Sequence, residues 1–293
     1  MLENLLVLVA FGGTLAASYF DLKTTEIPDR IPLSMFILGL SVHLYTFLKT
    51  GDIWSLGYPL LVGGSLFLLG ILMYYTGQWG GGDAKLLGAV GFLLPRAPQG
   101  FSSSLFINFP ISFLMNLFLV GAVYIIFYSF IFAFMNQNVI KGFLRDLKGS
   151  TKEFGIFVIS VTLTTFAIFI GVGLRWGVSL SNIISNLIIP VYLIPASIGI
   201  FVLWRFLRVV EETGFRKRIN VKHLKEGDML GEDIKELGLS SKIIRGLTSE
   251  EVERIRKSGK KKIWIKEGVR FGPAFPIALA ITLLYGSLIV ALF

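Results

Sequence analysis

Residues 76–88 (TGQWGGGDAKLLG) separate two apolar segments and decide how the chain is interpreted. They contain a glycine run, residues 80–82, that is followed by an aspartate. Charged side chains at membrane depth are energetically costly, so a carboxylate beside an apolar segment indicates a functional site. Consecutive glycines, here Gly80, Gly81 and Gly82, can adopt positive φ and allow another chain to approach their N–H and C=O groups. An extended peptide could therefore pair with this backbone beside Asp83.

A simpler interpretation of the same residues stays open. Asp83 can cap a helix that begins at Ala84, and the glycines can form an ordinary turn. Lys85 could orient a substrate or tune the acidity of Asp83, but a lysine here is also typical of a basic anchor at the cytoplasmic end of a membrane span. Trp79 is expected at the membrane interface as part of an aromatic belt.

The composition indicates a membrane protein. Of the 293 residues, 54% are hydrophobic and only 16% are charged, which is unusual for a soluble domain. Eight apolar stretches approach the length needed for a membrane span. They cover residues 4–20, 31–48, 54–76, 84–95, 106–135, 154–174, 183–204 and 273–292. The predicted class is an all-α polytopic membrane protein of about eight transmembrane helices, with a small α+β cytoplasmic domain.

The basic residues predict the orientation in the membrane. If the N-terminus is outside, 25 of the 28 Lys and Arg residues lie in cytoplasmic segments, and only Lys49, Arg96 and Arg175 lie outside. The positive-inside rule then places both termini of this multi-pass plasma membrane protein outside the cell and the glycine run at the cytoplasmic face. A helix from Ala84 to Leu94 rises only about 16 Å, so Asp83 is expected in a hydrated recess.

A change of composition predicts three domains. Residues 1–204 would form the transmembrane catalytic domain, residues 205–270 a basic cytoplasmic domain, and residues 271–293 the last transmembrane helix. The middle segment has 18 basic and 11 acidic residues, and such mixed signs favour a solvated surface over nucleic-acid binding. Within it, a capping box at Thr248 predicts a helix from Glu250 to Lys257, and residues 261–266 alternate like a strand.

Lipid is an expected partner of the segment 136–152. Its apolar and basic residues recur at helical spacing, which fits an interfacial amphipathic helix on membrane lipid, including anionic lipid. The same pattern also fits the frayed end of the preceding span. No nucleic-acid partner is expected.

A second carboxylate, Asp21, is predicted at the cytoplasmic end of the first span, on the same face as Asp83. Two prolines, Pro28 and Pro32, stop the helix beyond it and shape a short polar loop. Glu26 and Asp29 in this loop can be ordinary solvated residues. Two aspartates that share a site allow one ionised carboxylate to activate water while the protonated partner donates to a carbonyl oxygen.

Other catalytic chemistries are not expected. The chain has no cysteine, and its two histidines, His43 and His223, lie far apart without metal-ligand spacing around them. We therefore expect no metal and no cofactor. The helix macrodipole would lower the pKa of a carboxyl at a helix N-terminus and raise it at a C-terminus, which predicts that Asp21 carries the shared proton.

The two aspartates occur in a recognisable pair of motifs. Asp21 is followed six residues later by IPD at residues 27–29, and Asp83 lies within GGGDAK at residues 80–85. This pattern resembles the type IV prepilin peptidases, membrane aspartyl proteases of the GxGD class, and specifically their archaeal prepilin and preflagellin (archaellin) branch. The resemblance is strongest over about the first 95 residues, and KEGD at residues 225–228, GLT at 246–248 and GPAF at 272–275 also resemble archaeal members. It implies that Asp21 and Asp83 are the catalytic pair.

The resemblance also implies a substrate. It would be a prepilin-like or preflagellin precursor whose short basic leader is cut before a hydrophobic helix, at the cytoplasmic membrane face. Glu26, Asp29 and the two catalytic aspartates would then offer an acidic mouth to that leader, with Pro28 and the glycine run supporting the site. A transporter that uses Asp21 and Asp83 as a proton or cation relay is the alternative, because intramembrane carboxylates serve both functions.

Overall fold

The computed structural model describes residues 2–101, 108–186, 188–241, 246–266 and 268–292. Its helices are α1 (Leu2–Thr24), α2 (Arg30–Thr50), α3 (Trp54–Tyr75), α4 (Gly81–Leu93), α5 (Phe109–Met135), α6 (Gln137–Gly149), α7 (Thr151–Arg175), α8 (Leu180–Ser185), α9 (Ile188–Val191), α10 (Leu193–Val209), α11 (Ser249–Lys257), α12 (Ala274–Tyr285) and α13 (Leu288–Leu292). Its strands are β1 (Arg216–Asn220), β2 (Met229–Leu230) and β3 (Lys262–Lys266).

The chain is a mostly helical, multi-pass membrane protein with a small sheet domain, as the sequence predicts. Within the described ranges, six helical segments are long and apolar enough to cross a membrane: α1, α2, α3, α5, α7 and Leu193–Gly214. The count of about eight is not confirmed. The predicted stretches 84–95 and 273–292 form the shorter helices α4, α12 and α13, and 183–204 is divided among α8, α9 and α10. Pro95 ends the fourth stretch because a proline disfavours the helical conformation of the residue before it.

The chain divides into two compact units. The first combines Met1–Phe127 with Arg216–Phe293, and the second is Tyr128–Phe215. Both predicted aspartates and the sheet domain belong to the first unit.

Helix α4 is the most enclosed helix of the first unit. Leu86, Leu87 and Leu93 are fully buried, and α4 packs against α1, α2 and α3. Glycines on α3 allow the close approach, since a Cβ at Gly70 would lie 2.6 Å from Cα of Ala84. Small residues at such contacts are typical of helix packing in membranes. A short helix can thus form the centre of the unit and hold Asp83 at its first turn.

The C-terminal helix α12 packs against α1 and is fixed to α5 by one buried amide. Nδ2 of Asn116 donates to Oγ1 of Thr282 at 2.9 Å and to the carbonyl of Gly286 at 2.7 Å. Its Oδ1 accepts the N–H of Leu288 at 3.0 Å. Because buried polar groups need such partners, this asparagine specifies where the last helix lies.

The three strands form one antiparallel sheet in the order β1-β3-β2. One face carries Ile263 and Ile265 of β3, which are buried with Ile255 of α11. Helix α11 begins with the predicted capping box, in which Oγ1 of Thr248 accepts the N–H of Glu251 and the Glu251 carboxylate accepts the N–H of Thr248. The predicted helix and strand of this domain are confirmed.

The second unit contains an ion cluster around a buried guanidinium. Arg205 of α10 forms a bidentate pair with Asp146 of α6, at 2.7 and 2.5 Å, and a further pair with Glu153 of α7 at 2.7 Å. A buried guanidinium with several charged partners fixes the register of three helices. Helix α6 is separate from α5, because Asn136 between them is extended, so the alternative of a frayed span end is wrong.

Candidate active site

Asp21 is held by a backbone group from the far end of the chain. It lies near the C-terminal end of α1 and is only 7% exposed. Its Oδ2 accepts a hydrogen bond from the N–H of Gly272 over 2.7 Å. Arg270 lies within range for electrostatic attraction to this carboxylate. The segment that leads into α12 therefore provides a donor and a positive charge to Asp21.

Ser18 fixes the segment that carries this donor. One turn before Asp21, its Oγ lies 2.7 Å from the carbonyl of Thr14 and 2.9 Å from the carbonyl of Gly272. Gly272 has no space for a side chain, because a Cβ there would lie 2.9 Å from Cβ and from Oδ2 of Asp21. The backbone of Gly272 is thus bound on its N–H side by Asp21 and on its C=O side by Ser18.

Asp83 lies at the third residue of α4 and is 9% exposed. Its Oδ2 accepts the N–H of Gly80 at 3.0 Å, so the helix-capping interpretation holds for one oxygen. The other oxygen, Oδ1, is buried and has no hydrogen-bond partner among the described residues. Burial first, and the charge of Asp21 second, raise the pKa of Asp83 to about 7, while the Gly80 N–H acts in the opposite direction.

The two aspartates are brought together by α1 and α4. The helices pack against each other, and the carboxylate of Asp21 is close enough to act electrostatically on Asp83. Such coupling is expected of two carboxyl groups that share a site and cannot readily ionise together. The grouping predicted from the sequence is therefore present in the first unit.

An aromatic cluster connects the residues that precede Gly80 and Gly272, whose N–H groups donate to the two aspartates. Trp79, next to Gly80, lies 5.5 Å from the ring of Phe271, next to Gly272. Phe118 and Phe275 complete the cluster at 5.7 and 6.2 Å from Trp79. Trp79 is only 9% exposed, so the predicted belt position is wrong. The indole is buried because the segment before α12 covers it.

The glycine run differs from the expectation of positive φ. Gly80 is extended, with φ −74° and ψ 157°, and Gly81 and Gly82 form the first turn of α4. The left-handed glycine of this loop is Gly77, at φ 72°. Gly82 is needed for close packing, since a Cβ there would lie 2.7 Å from Cβ of Ile27. The run therefore brings α4 against the loop that follows Asp21.

The charged residues around this loop are paired. Nζ of Lys85 lies 2.6 Å from Oδ1 of Asp29, and Nζ of Lys225 from the sheet domain lies 3.1 Å from Oε1 of Glu26. Pro28 is half-buried, and its carbonyl accepts the N–H of Ile31 at the start of α2. Lys85 thus contacts Asp29, and the two loop carboxylates of the predicted acidic mouth, Glu26 and Asp29, are partly neutralised.

The described residues include no group of three or more His, Asp or Glu side chains arranged to hold a metal ion. The chemistry available at the site is that of two coupled carboxyl groups, backbone donors and an apolar wall.

Sequence reasoning did not identify Ser18, Gly272 or Phe271 as part of this site. The signal available was the GPAF stretch at residues 272–275, a glycine and a proline immediately before the last apolar segment. Its pairing with Asp21 depends on how α12 packs against α1. No local pattern in the sequence encodes that contact.

Comparison with known proteins agrees with the geometry. Residues 8–137 match the type IV leader peptidase family. The chain is 24% identical, over its whole length and 97% of the relative, to the prepilin peptidase EppA of Methanothermobacter thermautotrophicus. It is 29% identical to the preflagellin peptidase of Methanococcus maripaludis over 44% of this chain and 57% of the relative. For the preflagellin peptidase of Methanocaldococcus jannaschii the identity is 37%, over 29% of this chain and 36% of the relative.

No solved structure gives a significant match to the chain. The family match runs from residue 8 within α1 to just past the end of α5, and it therefore includes Asp21, Asp83 and the loop between α1 and α2. On these grounds the chain is a membrane protein whose residues 8–137 are similar to the type IV leader peptidase family.

Proposed function

We propose that the chain is an aspartic endopeptidase that removes the short basic leader from prepilin-like or preflagellin precursors, with Asp21 and Asp83 as its catalytic pair. The observation that carries this proposal is the electrostatic coupling of two buried carboxyl groups on neighbouring helices, inside the segment that matches the leader peptidase family. Coupled aspartates are the arrangement that hydrolyses peptides without a covalent nucleophile.

We infer that Asp83, and not Asp21, carries the shared proton in the resting enzyme. Burial disfavours the ionised form of Asp21, but this carboxylate accepts the Gly272 N–H and is attracted by Arg270, and both contacts favour the ionised form. Asp83 has a buried oxygen without a partner among the described residues, which favours the neutral form. The helix dipole alone favours the opposite assignment. It does not include the donor that Gly272, just before α12, provides to Asp21.

The reaction then follows from these two protonation states. Asp21 removes a proton from a water molecule, whose oxygen forms a bond to the scissile carbonyl carbon while Asp83 protonates the carbonyl oxygen. In the second half, Asp21 passes its proton to the leaving nitrogen as the C–N bond breaks. Asp83 recovers a proton from the gem-diol intermediate. Every proton is returned, so the pair is ready for another cycle.

The position of the loop supports the predicted cleavage face. The end of α1, the loop containing Glu26 and Asp29, and the start of α4 lie on one side of the first unit. The distribution of basic residues assigns this side to the cytoplasm, with the N- and C-termini outside. We assign the reaction to the helices of residues 1–204 together with the last helix, and an accessory role to residues 205–270.

The test is cleavage of a precursor by purified protein in detergent. The substrate is a prepilin-like or preflagellin precursor with its leader intact, and the products are resolved by mass spectrometry. Asp21→Asn and Asp83→Asn should each abolish cleavage, whereas Asp29→Asn, an exposed carboxylate in the same loop, should retain it.

The alternative relay function predicts a different result. A transporter would leave the precursor intact and carry protons or cations across liposome membranes, with the flux lost in the same two variants. Flux without cleavage would overturn the protease proposal.

A further inference from the structure

The sheet domain has a basic outer face to which the proposed reaction assigns no role. In the antiparallel register, Arg216 is opposite Lys266, Arg218 is opposite Trp264, and Asn220 is opposite Lys262. Residues directly opposite each other point to the same side of a sheet. The other face carries the isoleucines of the domain core, so these six side chains form the outer face.

The charges on this outer face are exposed or half-buried, and none is paired with a described residue. Arg216, Arg218 and Lys262 are exposed, Lys266 is half-buried, and none of the four forms an ion pair with a described residue. The ring of Trp264 is among them and the residue is 39% exposed. An acidic residue of a neighbouring chain segment, Glu232, contacts the backbone here, since its carboxylate accepts the N–H of Trp264.

The sheet domain is connected to membrane-embedded parts of the chain at two points. Arg216 follows the candidate span Leu193–Gly214 with one residue between them. The ion pair between Lys225 and Glu26 links the sheet domain to the loop between the spans α1 and α2. Strand β1 thus begins within two residues of a candidate span, and the ion pair ties the domain to a membrane loop.

We propose that the outer face of the sheet binds the anionic headgroups of the membrane in which the protein lies. A basic residue close to an anionic leaflet is attracted to it, and tryptophan prefers the headgroup region. Nucleic acid is the less favoured partner because the face is only two long strands wide and has one aromatic ring, whereas single-strand binders stack successive bases on several. A basic leader would be repelled from this face, so substrate docking does not explain it.

The test uses the full-length protein in nanodiscs that contain lipids brominated near the headgroup. Quenching of the Trp264 fluorescence by the bromine atoms reports how close this ring lies to the headgroups. One set of discs contains only phosphatidylcholine, and the other includes phosphatidylglycerol. The signal of Trp264 is the difference between wild type and Trp264→Phe. We expect its quenching to rise about twofold in anionic discs and to return to the phosphatidylcholine value in high salt.

Charge variants test whether the four basic residues cause this effect. We expect the lipid-dependent increase to be lost when all four basic residues are changed to glutamine: Arg216, Arg218, Lys262 and Lys266. The single variant Arg218→Gln should reduce it. The matched control places glutamine at four basic residues outside the outer face, Lys222, Lys235, Lys257 and Lys260, and should keep the increase. Because the fourfold variant can lose its fold, circular dichroism and gel filtration accompany it, and the single variant decides the result if it does.

Two results would overturn the proposal. Equal quenching of Trp264 in both kinds of disc would show that the face has no preference for anionic headgroups. A short oligonucleotide would be the partner instead if it binds the protein in phosphatidylcholine discs and, at the same ionic strength, abolishes the increase in Trp264 quenching in anionic discs.

Discussion

Gly272 and Asp21, which are 251 positions apart in the sequence, are joined by a hydrogen bond of 2.7 Å from the backbone N–H to Oδ2. A backbone donor cannot be removed by changing a side chain, and it holds the carboxylate in one orientation. The carbonyl of Gly272 is held in turn by Ser18. The segment that leads into α12 is therefore part of the proposed catalytic site, although it lies outside the residues that match the family.

The Gly272→Ala variant should lose most of its activity while staying folded. The new Cβ would lie 2.9 Å from Oδ2 of Asp21 and 3.2 Å from Cα of Ser18, so the carboxylate has to move. A displacement of about 1 Å at a catalytic group costs on the order of 100-fold in rate. The measurement is kcat for precursor cleavage, with Gly268→Ala as control because a Cβ there meets nothing within 4 Å. Equal activity of the two variants would contradict the role of Gly272.

Two adjacent glycines of the run should respond differently to alanine. At Gly82 a Cβ would lie 2.7 Å from Cβ of Ile27, whereas at Gly81 the nearest atom is in the Tyr74 ring at 3.8 Å. Gly81→Ala should keep its activity and raise the melting temperature slightly, since alanine favours a helix over glycine by up to about 1 kcal/mol. Gly82→Ala should lower both quantities, because α4 must move away from the loop. Intrinsic fluorescence during heating and the cleavage assay measure the two effects, and an active, stable Gly82→Ala enzyme would show that the contact is not needed.

Ionisation of Asp83 should limit the activity at high pH. Its pKa is raised to about 7, and the proposed reaction needs the protonated form, so kcat should fall as the pH rises through 7. The pH profile of precursor cleavage measures this. A profile that stays flat from pH 6 to well above 8 would assign the proton donor to another group.

The same shift predicts how stability depends on pH. An unfolded aspartate ionises near pH 4, whereas folded Asp83 keeps its proton up to about pH 7. The folded state therefore binds more protons within this window, and the free energy of unfolding falls as the pH rises through it. Asp83→Asn stays neutral and should be more stable than wild type at pH 8, with the difference disappearing near pH 4. Melting temperatures of both proteins across this range test the sign, and Asp29→Asn serves as an exposed control.

The local features of the fold could be predicted from the sequence, and the long-range ones could not. Apolar length predicts α1, α2, α3 and α7, and the Thr248 capping box predicts α11, because these signals lie within one element. The grouping of Asp21 with Asp83 followed from motif resemblance and topology. The contacts of Gly272 and the burial of Trp79 depend on where α12 packs, and that position is fixed by Asn116 and by shape complementarity between helices distant in sequence.

The loop carboxylates should affect substrate binding more than catalysis or stability. Glu26 and Asp29 are each paired with a lysine in exposed ion pairs, which contribute little to folding, so Glu26→Gln and Asp29→Asn should shift the free energy of unfolding by less than about 1 kcal/mol. A basic leader can exchange with Lys225 and Lys85 at low cost. We therefore expect the double variant to raise KM several-fold at low salt with kcat nearly unchanged, and the difference should shrink as ionic strength increases. A fall in kcat at constant KM would instead assign these carboxylates to the chemical step.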